Sequence, residues 1–534
     1  MQLQLDKRVF NIGQDLSNIG ANAADILDNV PSVAVDIDGN VSLRGSQNVR
    51  ILINGKPSGL VGISSNDALR QLQGSMIESI EVITNPSARY DAEGEVGIIN
   101  IILKKNTTQG VNGTFTVNTG YPANYGASFN LNFRNNKTNL FANYGFNYRS
   151  NPGKGSSFQD FASADTTFRY EQTSDRTRSD KSHNLMVGMD YFLNDYNTIT
   201  GSVVYRSSAG LNKSTYEYLD IDEFGSVIET VTRTDREREP EDNVELALNY
   251  RKEFKDKKDR LLTFDFKYMN NDETERSDFR QHTMSIDSVG IQRSSNTEDE
   301  QNILFQSDYV HPFGADNKGK FEAGIKSTNR IIDNNFLVEQ LNADSEWQTV
   351  SNFDNNLVYT ERIHAAYLIV GKEFAKFSAQ GGVRGEYSDI KTELTRSNEV
   401  NHRTYFNIFP SVHLAYKITQ DKTIQLSYSY RLSRPGFREL IPFSNFSDSR
   451  VLFTGNPNLN PEYTHSTEAG YLLNWENGSL LSSAYYRYRT GVFQRITEVD
   501  EETGITKIFP INLATENAYG LEFNLNYTVG GWCV

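Results

Sequence analysis

From Val111 to Val534, apolar and polar residues alternate with a period of two, and this alternation restricts the fold more than any other feature. In Ile424-Gln-Leu-Ser-Tyr-Ser-Tyr-Arg-Leu432 the residues Ile424, Leu426, Tyr428, Tyr430 and Leu432 share one face of a strand, and Gln425, Ser427, Ser429 and Arg431 share the other. The pattern recurs in Leu140/Ala142/Tyr144/Phe146/Tyr148, Leu185/Val187/Met189/Tyr191, Leu262/Phe264/Phe266/Tyr268 and Leu521/Phe523/Leu525/Tyr527. Roughly eighteen such segments are predicted, with ends uncertain by ~2–4 residues. Short connections (Leu193–Tyr196, Thr419–Lys422, Asn474–Gly478) alternate with long polar stretches (Arg149–Ser157, Ala209–Glu217, Asp389–Arg403, Ser433–Thr464). Tight turns at one rim and long loops at the other are the pattern of an antiparallel barrel in an outer membrane.

The competing reading is a soluble β-sandwich or propeller. A sandwich needs aliphatic side chains to fill its core, yet only 37% of the residues are hydrophobic, and 28 Tyr and 31 Phe make up much of that share. The second face of each segment carries Asn, Gln, Ser, Arg, Glu and Lys, which suits a polar lumen. No blade-length repeat with a fixed motif is present, which disfavours a propeller. The run Val96–Leu103 stops at Lys104 and Lys105, far short of the ~20 residues of a spanning helix. With 53 basic and 68 acidic residues the net charge is −15, which disfavours a nucleic-acid partner held by general electrostatics. The single cysteine, Cys533, excludes an intramolecular disulfide. The start at Met1 shows no export signal, so either the protein stays inside or its first residues are missing.

Residues 1–105 have a different texture, a small α/β unit with its own core. Ala23, Ile26, Leu27 and Val30 lie on one helical face ended by Pro31, and Asn66–Leu72 is a second helix candidate. Asp38-Gly39 suits a hairpin turn between Val33–Asp36 and Asn40–Leu43, and further strands are expected at 50–53, 77–82 and 97–103.

The segment from Ile77 to Lys104, with Asn85-Pro86, Ser87, Arg89-Tyr90, Gly94, Gly97 and Ile99-Asn100-Ile101, resembles the plug-ending signature of TonB-dependent outer-membrane receptors, of the kind common in Bacteroidetes. Arg44-Gly45, and the hydrophobic strand ending in Asn54-Gly55, resemble two upstream plug strands in the same order. In the later part, Arg434-Pro435, Gly455-Asn456-Pro457 and Pro461-Glu462 resemble the family's segments before and within a late extracellular loop. The resemblance implies a plug over residues 1–110 inside a transmembrane β-barrel over residues 111–534, of the type with about 22 strands and a plugged lumen. It implies energised uptake of a siderophore, oligosaccharide, peptide or cobalamin across the outer membrane of a Gram-negative cell. Its partners would be a periplasmic TonB-type transducer, outer-membrane lipid, the solute and, for sugar uptake, a surface lipoprotein.

Two positions depart from the family pattern: Asn85 stands where a Gly usually precedes the Pro, and Asp91 where a Gly usually follows the Tyr. The strand count and the ending at Gly530-Gly-Trp-Cys-Val534 suggest a fragment lacking C-terminal strands, with a gap between the first strand, near Val111–Gly120, and the last, near Gly520–Thr528. Arg44, Arg50 and Arg89 are candidates to pair with acidic wall residues and hold the plug, with Arg44 foremost. His311, His364, His402, His413 and His465 are scattered without metal-ligand spacing, and His413 is placed inward by its apolar neighbours. The acidic stretch Asp235–Asp242 reads as a solvated loop. No catalytic, cofactor or metal set is expected. The alternative function is an adhesive or structural barrel with a permanent plug.

Overall fold

The computed structural model describes residues 2–3, 7–12, 21–36, 41–44, 49–53, 69, 72, 74, 77–94, 97–104, 110–162, 167–257, 259–314, 318–441, 451–499, 506–529 and 532–533. The N-terminal part contains β1 (Gln2–Leu3), β2 (Arg8–Asn11), β3 (Val33–Val35), β4 (Val41–Leu43), β5 (Val49–Ile53), β6 (Ile77–Ile83) and β7 (Gly97–Leu103). Five of these form one sheet in the order β1-β2-β6-β7-β5, in which β5 and β7 run parallel, while β3 and β4 form a separate hairpin. The helix Ala23–Asp28 is capped by Asn22, whose side chain accepts from Asp25 N while Asp25 returns the bond, so two orphan amides are satisfied. Its face of Ala23, Ile26 and Leu27 packs with Val30 on Ile77, Ile80, Ile99 and Ile101, each fully or nearly fully buried. Such a side chain contributes about 1.5–3 kcal/mol when withdrawn from water.

The wall consists of β8 (Gly110–Gly120), β9 (Asn124–Asn135), β10 (Thr138–Ala162), β11 (Thr167–Asn194), β12 (Asn197–Ile221), β13 (Val227–Glu253), β14 (Leu261–Thr283), β15 (Ser288–Phe313), β16 (Gly319–Leu341), β17 (Trp347–Glu373), β18 (Phe377–Leu394), β19 (Glu399–Lys417), β20 (Lys422–Ser433), β21 (Val451–Phe453), β22 (Glu462–Trp475), β23 (Gly478–Val499), β24 (Thr506–Val529) and β25 (Trp532–Cys533). Except for β21, a short parallel strand on β24, each pairs antiparallel with the next long strand. The strand order is that of a closed barrel in which the two-residue β25 stands between β24 and β8, so the expected gap between the first and last strands is spanned, although no register among the described residues joins β8 directly to β24. Leu513, Leu521 and Phe523 on β24 and Val111 and Phe115 on β8 are 65–76% exposed, which marks both as strands with weakly covered flanks.

The outward faces carry the lipid band. On β13, β14 and β15 it includes Leu246, Leu248, Phe264, Phe266, Ile303 and Phe305, all exposed. Above it the outward positions turn polar, with Asp242, Asp272 and Asp299 on the three strands. With 27 residues, β13 is far longer than the ~9–11 that cross a bilayer, so its upper half stands beyond the membrane. This corrects the expected long loops. Arg149–Ser157, Ala209–Glu217 and Asp235–Asp242 lie within β10, β12 and β13, and Asp389–Arg403 is the end of β18, a tight turn and the start of β19. Beyond the membrane both faces of a strand meet water or polar lumen, so the hydrophobic alternation that marks a strand disappears while the backbone ladder continues.

A second correction concerns the outward set on β20. Ile424 and Leu426 are exposed, but Leu432 is fully buried against Ala92 of the plug and Phe409. The ladder between β19 and β20 ends at Ser411↔Ser429, and above it Leu432 N donates to Ala92 O at 3.0 Å. Ser427 faces inward and accepts from Asn85 of the plug, so it is not the neutral position its polarity suggests. The facing assignment predicts that Phe266→Arg, in the middle of the lipid band, destabilises the barrel by about 2–4 kcal/mol, while the lumenal Gln425→Arg changes it by under ~1 kcal/mol. A reversed order in a refolding titration contradicts it.

The plug and its seat in the wall

The segment after β6 is where the plug is fastened. Asn85 is buried, its amide donating to Ser427 Oγ at 2.8 Å and its Oδ1 accepting from Ser429 Oγ at 2.5 Å. The imidazole Nε2 of His413 lies 2.8 Å from Asn85 O, so His413 does face inward, as a plug contact. Ala88 N donates to Ser411 Oγ at 3.1 Å. Asp91 takes both contacts of Lys326 Nζ at 2.7 and 2.8 Å and one from Arg384 at 3.1 Å. Arg431 donates to the carbonyls of Asp91, Glu93 and Gly94. Ala92 N donates to Glu386 Oε1, which also receives Arg384. Burial alone raises the Asp91 pKa, but the Lys326 and Arg384 charges outweigh it and hold the carboxyl far below the usual range. Both departures from the family's glycines thus supply side chains that bind the wall.

A second fastening lies at β22 and β24. Arg44 donates to Glu468 at 2.9 and 3.1 Å and to Glu522 at 2.6 and 2.9 Å, with its guanidinium 4.6 Å from the Tyr485 ring centre. Arg8 reaches the same two carboxylates, and Ser32 Oγ donates to Glu522. All four charged side chains are at most 16% exposed. Burial lowers the Arg44 pKa, but Glu468 and Glu522 outweigh it and the net shift is upward, so this guanidinium is permanently charged.

The other sequence-selected residues fall into distinct places. Arg50 pairs with Glu93 at 2.5 Å and approaches Asp91 at 3.9 Å, so its ion-pair partners among the described residues lie within the plug. Arg89 reaches Glu322 of β16 at 3.6 Å but is 42% exposed, a loose contact. Asn100 is buried and donates to Glu81 at 2.7 Å inside the sheet. Pro86 is buried beside Asn85, and Tyr90 packs on Leu52, Ile83 and Ile98. Gly97 has a φ of +141° and a Cβ there would meet Ile83 O at 2.5 Å, so β7 can start only on glycine. Gly94 has a φ of +101° at the bend beneath Arg431. Gly45, Asn54 and Gly55 lie outside the described residues.

The late loop folds inward. Arg434, expected in an extracellular segment, is buried and donates to Glu386 and Ser388 at 2.8 Å, with Glu93 of the plug 3.9 Å away. Pro435, Pro457, Pro461, Leu440 and Arg403 surround a cavity of about 20 Å³, room for one water, so the loop is packed onto the wall. Gly455 passes so close to the four-residue helix Phe437–Leu440 that a Cβ would meet Ile441 O at 2.5 Å and Glu439 O at 2.6 Å. Asn456 N donates to Glu439 O and its side chain to Pro510 O. Glu462 is 1% exposed and accepts from Phe493 N and Arg489. Phe437, Leu440 and Leu459 join Phe279, Ile332, Phe336 and Leu357 in one apolar cluster across the mouth.

Comparison with known proteins fits this arrangement. Residues 252–533 match the model of the outer membrane protein beta-barrel family. The chain belongs to that family. Residues 13–98 match the TonB-dependent receptor plug domain, so this family member carries the receptor's plug inside its barrel. Among solved structures, it is similar to the copper transporter OprC, with a TM-score of 0.66, 13% identity, and 99% of this chain and 77% of that chain covered. It is similar to the siderophore receptor PirA of Pseudomonas aeruginosa, with a TM-score of 0.55, 14% identity and coverage of 98% and 82%. It is also similar to the unliganded ferric citrate transporter FecA, with a TM-score of 0.59, 13% identity and coverage of 98% and 74%. Among curated proteins, none matches the chain.

Proposed function

We propose that the chain is an outer-membrane receptor for energised uptake of a scarce solute, with residues 1–110 as a movable plug and a periplasmic TonB-type protein as its power source. The observation that carries this reading is how the plug is held. Its apolar core is its own, apart from Val204 and Met186 of the wall, while its seat on β16, β18, β19, β20, β22 and β24 is made largely of ion pairs and hydrogen bonds, with two small apolar contacts, Ala88 on Tyr367 and Ile369 and Ala92 on Phe409 and Leu432. When the two sides separate, the charged groups of both regain water, so force can withdraw the plug without dissolving its core. Neighbouring structures named for copper, siderophore and ferric citrate transport support the solute class. Outer-membrane lipid around the exposed aromatic band and, for a sugar substrate, a surface lipoprotein complete the proposed partners; no covalent chemistry is required.

The permanent-plug alternative makes the opposite prediction in one assay. Cells expressing the chain are given copper, ferric citrate, a catecholate siderophore and spermine, with the transducer present or deleted. Accumulation of at least one probe only when both chain and transducer are present is the expected result. Equal accumulation of every probe after transducer deletion contradicts energised uptake.

A further inference from the structure

Above the lipid band, on the lumenal face, glutamates form a row that makes no ion pair or hydrogen bond with the described residues of the plug. Glu241 of β13 stands opposite Glu273 of β14, and Glu273 opposite Glu298 of β15. The next member across the ladder is Asn334 of β16. Glu237, Glu239 and Glu275 stand one or two rungs above. Like charges placed directly opposite each other across strands destabilise a sheet, so a triple row is an unfavourable arrangement for the empty wall.

Some members are satisfied. Arg206 pairs with Glu241. Asn212 donates to Glu237 and Glu239 at 2.8 and 2.9 Å, and Asn296 to Glu275 at 3.1 Å. Glu298 differs. It is 5% exposed, and its Oε1 has no hydrogen-bond partner among the described residues. The facing amide oxygen, Asn334 Oδ1, is in the same condition on a side chain 1% exposed. Two buried acceptors facing each other across the ladder therefore lack donors among the described residues, a condition they share with other side chains of the wall such as Asn243. Burial first, and then the neighbouring carboxylates, push Glu273 up to about 8. Burial pushes Glu298 up to about 7 against the opposing charge of Arg438. That guanidinium, on the inward-folded loop, stands 4.0 Å from Glu275.

We propose that this row is a binding site for an organic polycation, a solute carrying two or more ammonium or guanidinium groups, with Arg438 as a built-in counter-ion that the solute displaces. The inference rests on the uptake reading and names the charge class of its solute. A single metal ion is a poor fit, because no group of three acidic, histidine or cysteine side chains converges on one point among the described residues. The carboxylates instead recur about 5 Å apart from strand to strand, a spacing matched by ammonium groups along an alkyl chain. The site lies beyond the membrane and above the described seat of the plug on the wall, where an arriving solute meets it first.

The test uses spermine and the full chain in detergent, followed by titration calorimetry at fixed salt. Wild type should bind spermine; Glu273→Gln with Glu298→Gln should weaken it at least tenfold; Arg438→Ala, which removes the internal competitor, should tighten it severalfold. Heat-modifiable migration confirms that each variant is folded, and the Arg438 variant keeps the test decisive if the glutamine variant is not. No spermine binding by wild type, or the same affinity in all three, overturns the proposal. Transducer-dependent uptake of another probe beside absent spermine binding removes the site and leaves the uptake reading; spermine binding with transducer-independent accumulation of every probe does the reverse.

Discussion

Replacing Glu468 and Glu522 together with glutamine should loosen the plug from the wall by about 3 kcal/mol or more, while leaving the barrel itself folded. The size follows from what is left behind. Arg8 and Arg44, 5% and 4% exposed, keep their charges but lose both carboxylates, and Arg487 adds a third guanidinium beside the Tyr485 ring. Removing one side of a buried ion pair costs about 3–5 kcal/mol because the stranded charge stays out of water. The lumen can admit water, which favours the lower end of that range. Arg44→Ala removes a charge as well as its contacts and should cost less than the double glutamine variant; combining the two should be far from additive, since they break one cluster. Hydrogen exchange in Ile77–Ile83 and Gly97–Leu103 reads plug release, and heat-modifiable migration reads the barrel. Unchanged exchange in these strands shows that the cluster does not hold the plug.

The legible and illegible parts of this protein divide along physical lines. A strand with lipid on one side and polar lumen on the other has to alternate, so Leu262/Phe264/Phe266/Tyr268 and its equivalents announced the wall. The helix at Ala23–Asp28 and the strands Ile77–Ile83 and Gly97–Leu103 were visible because a small core demands its own periodic apolar face. Strand extensions such as the upper half of β13 were invisible, since water on both faces removes the alternation. The seat was half visible. Arg44 was singled out, but its partners Glu468 and Glu522 lie over 400 residues away and nothing local distinguishes them from other lumenal glutamates. Arg50 was misplaced because its charge alone does not reveal that Asp91 and Glu93 would fold beside it. The departures at Asn85 and Asp91 were the available signal for the second fastening: a side chain kept where a glycine would suffice needs a partner, and here the partners are Ser427, Ser429, Lys326 and Arg384.

The central claim is that this plug must leave its seat for solute to pass. Ala88 and Gly382 offer the means to test it, because a Cβ on Gly382 would stand 2.9 Å from the Ala88 Cβ, across the boundary between plug and β18. Disulfides prefer about 3.8 Å between Cβ atoms, so a small outward shift completes a bond between cysteines at the two positions. In a Cys533→Ser background, Ala88→Cys with Gly382→Cys should abolish transducer-dependent accumulation of whichever probe the wild type takes up. A reductant should restore it, which also shows that the variant is folded and inserted. The measurement is uptake before and after reduction in the same cells. Loss when oxidised and recovery when reduced is the result predicted here; full energised uptake with the plug covalently fixed to the wall contradicts the account.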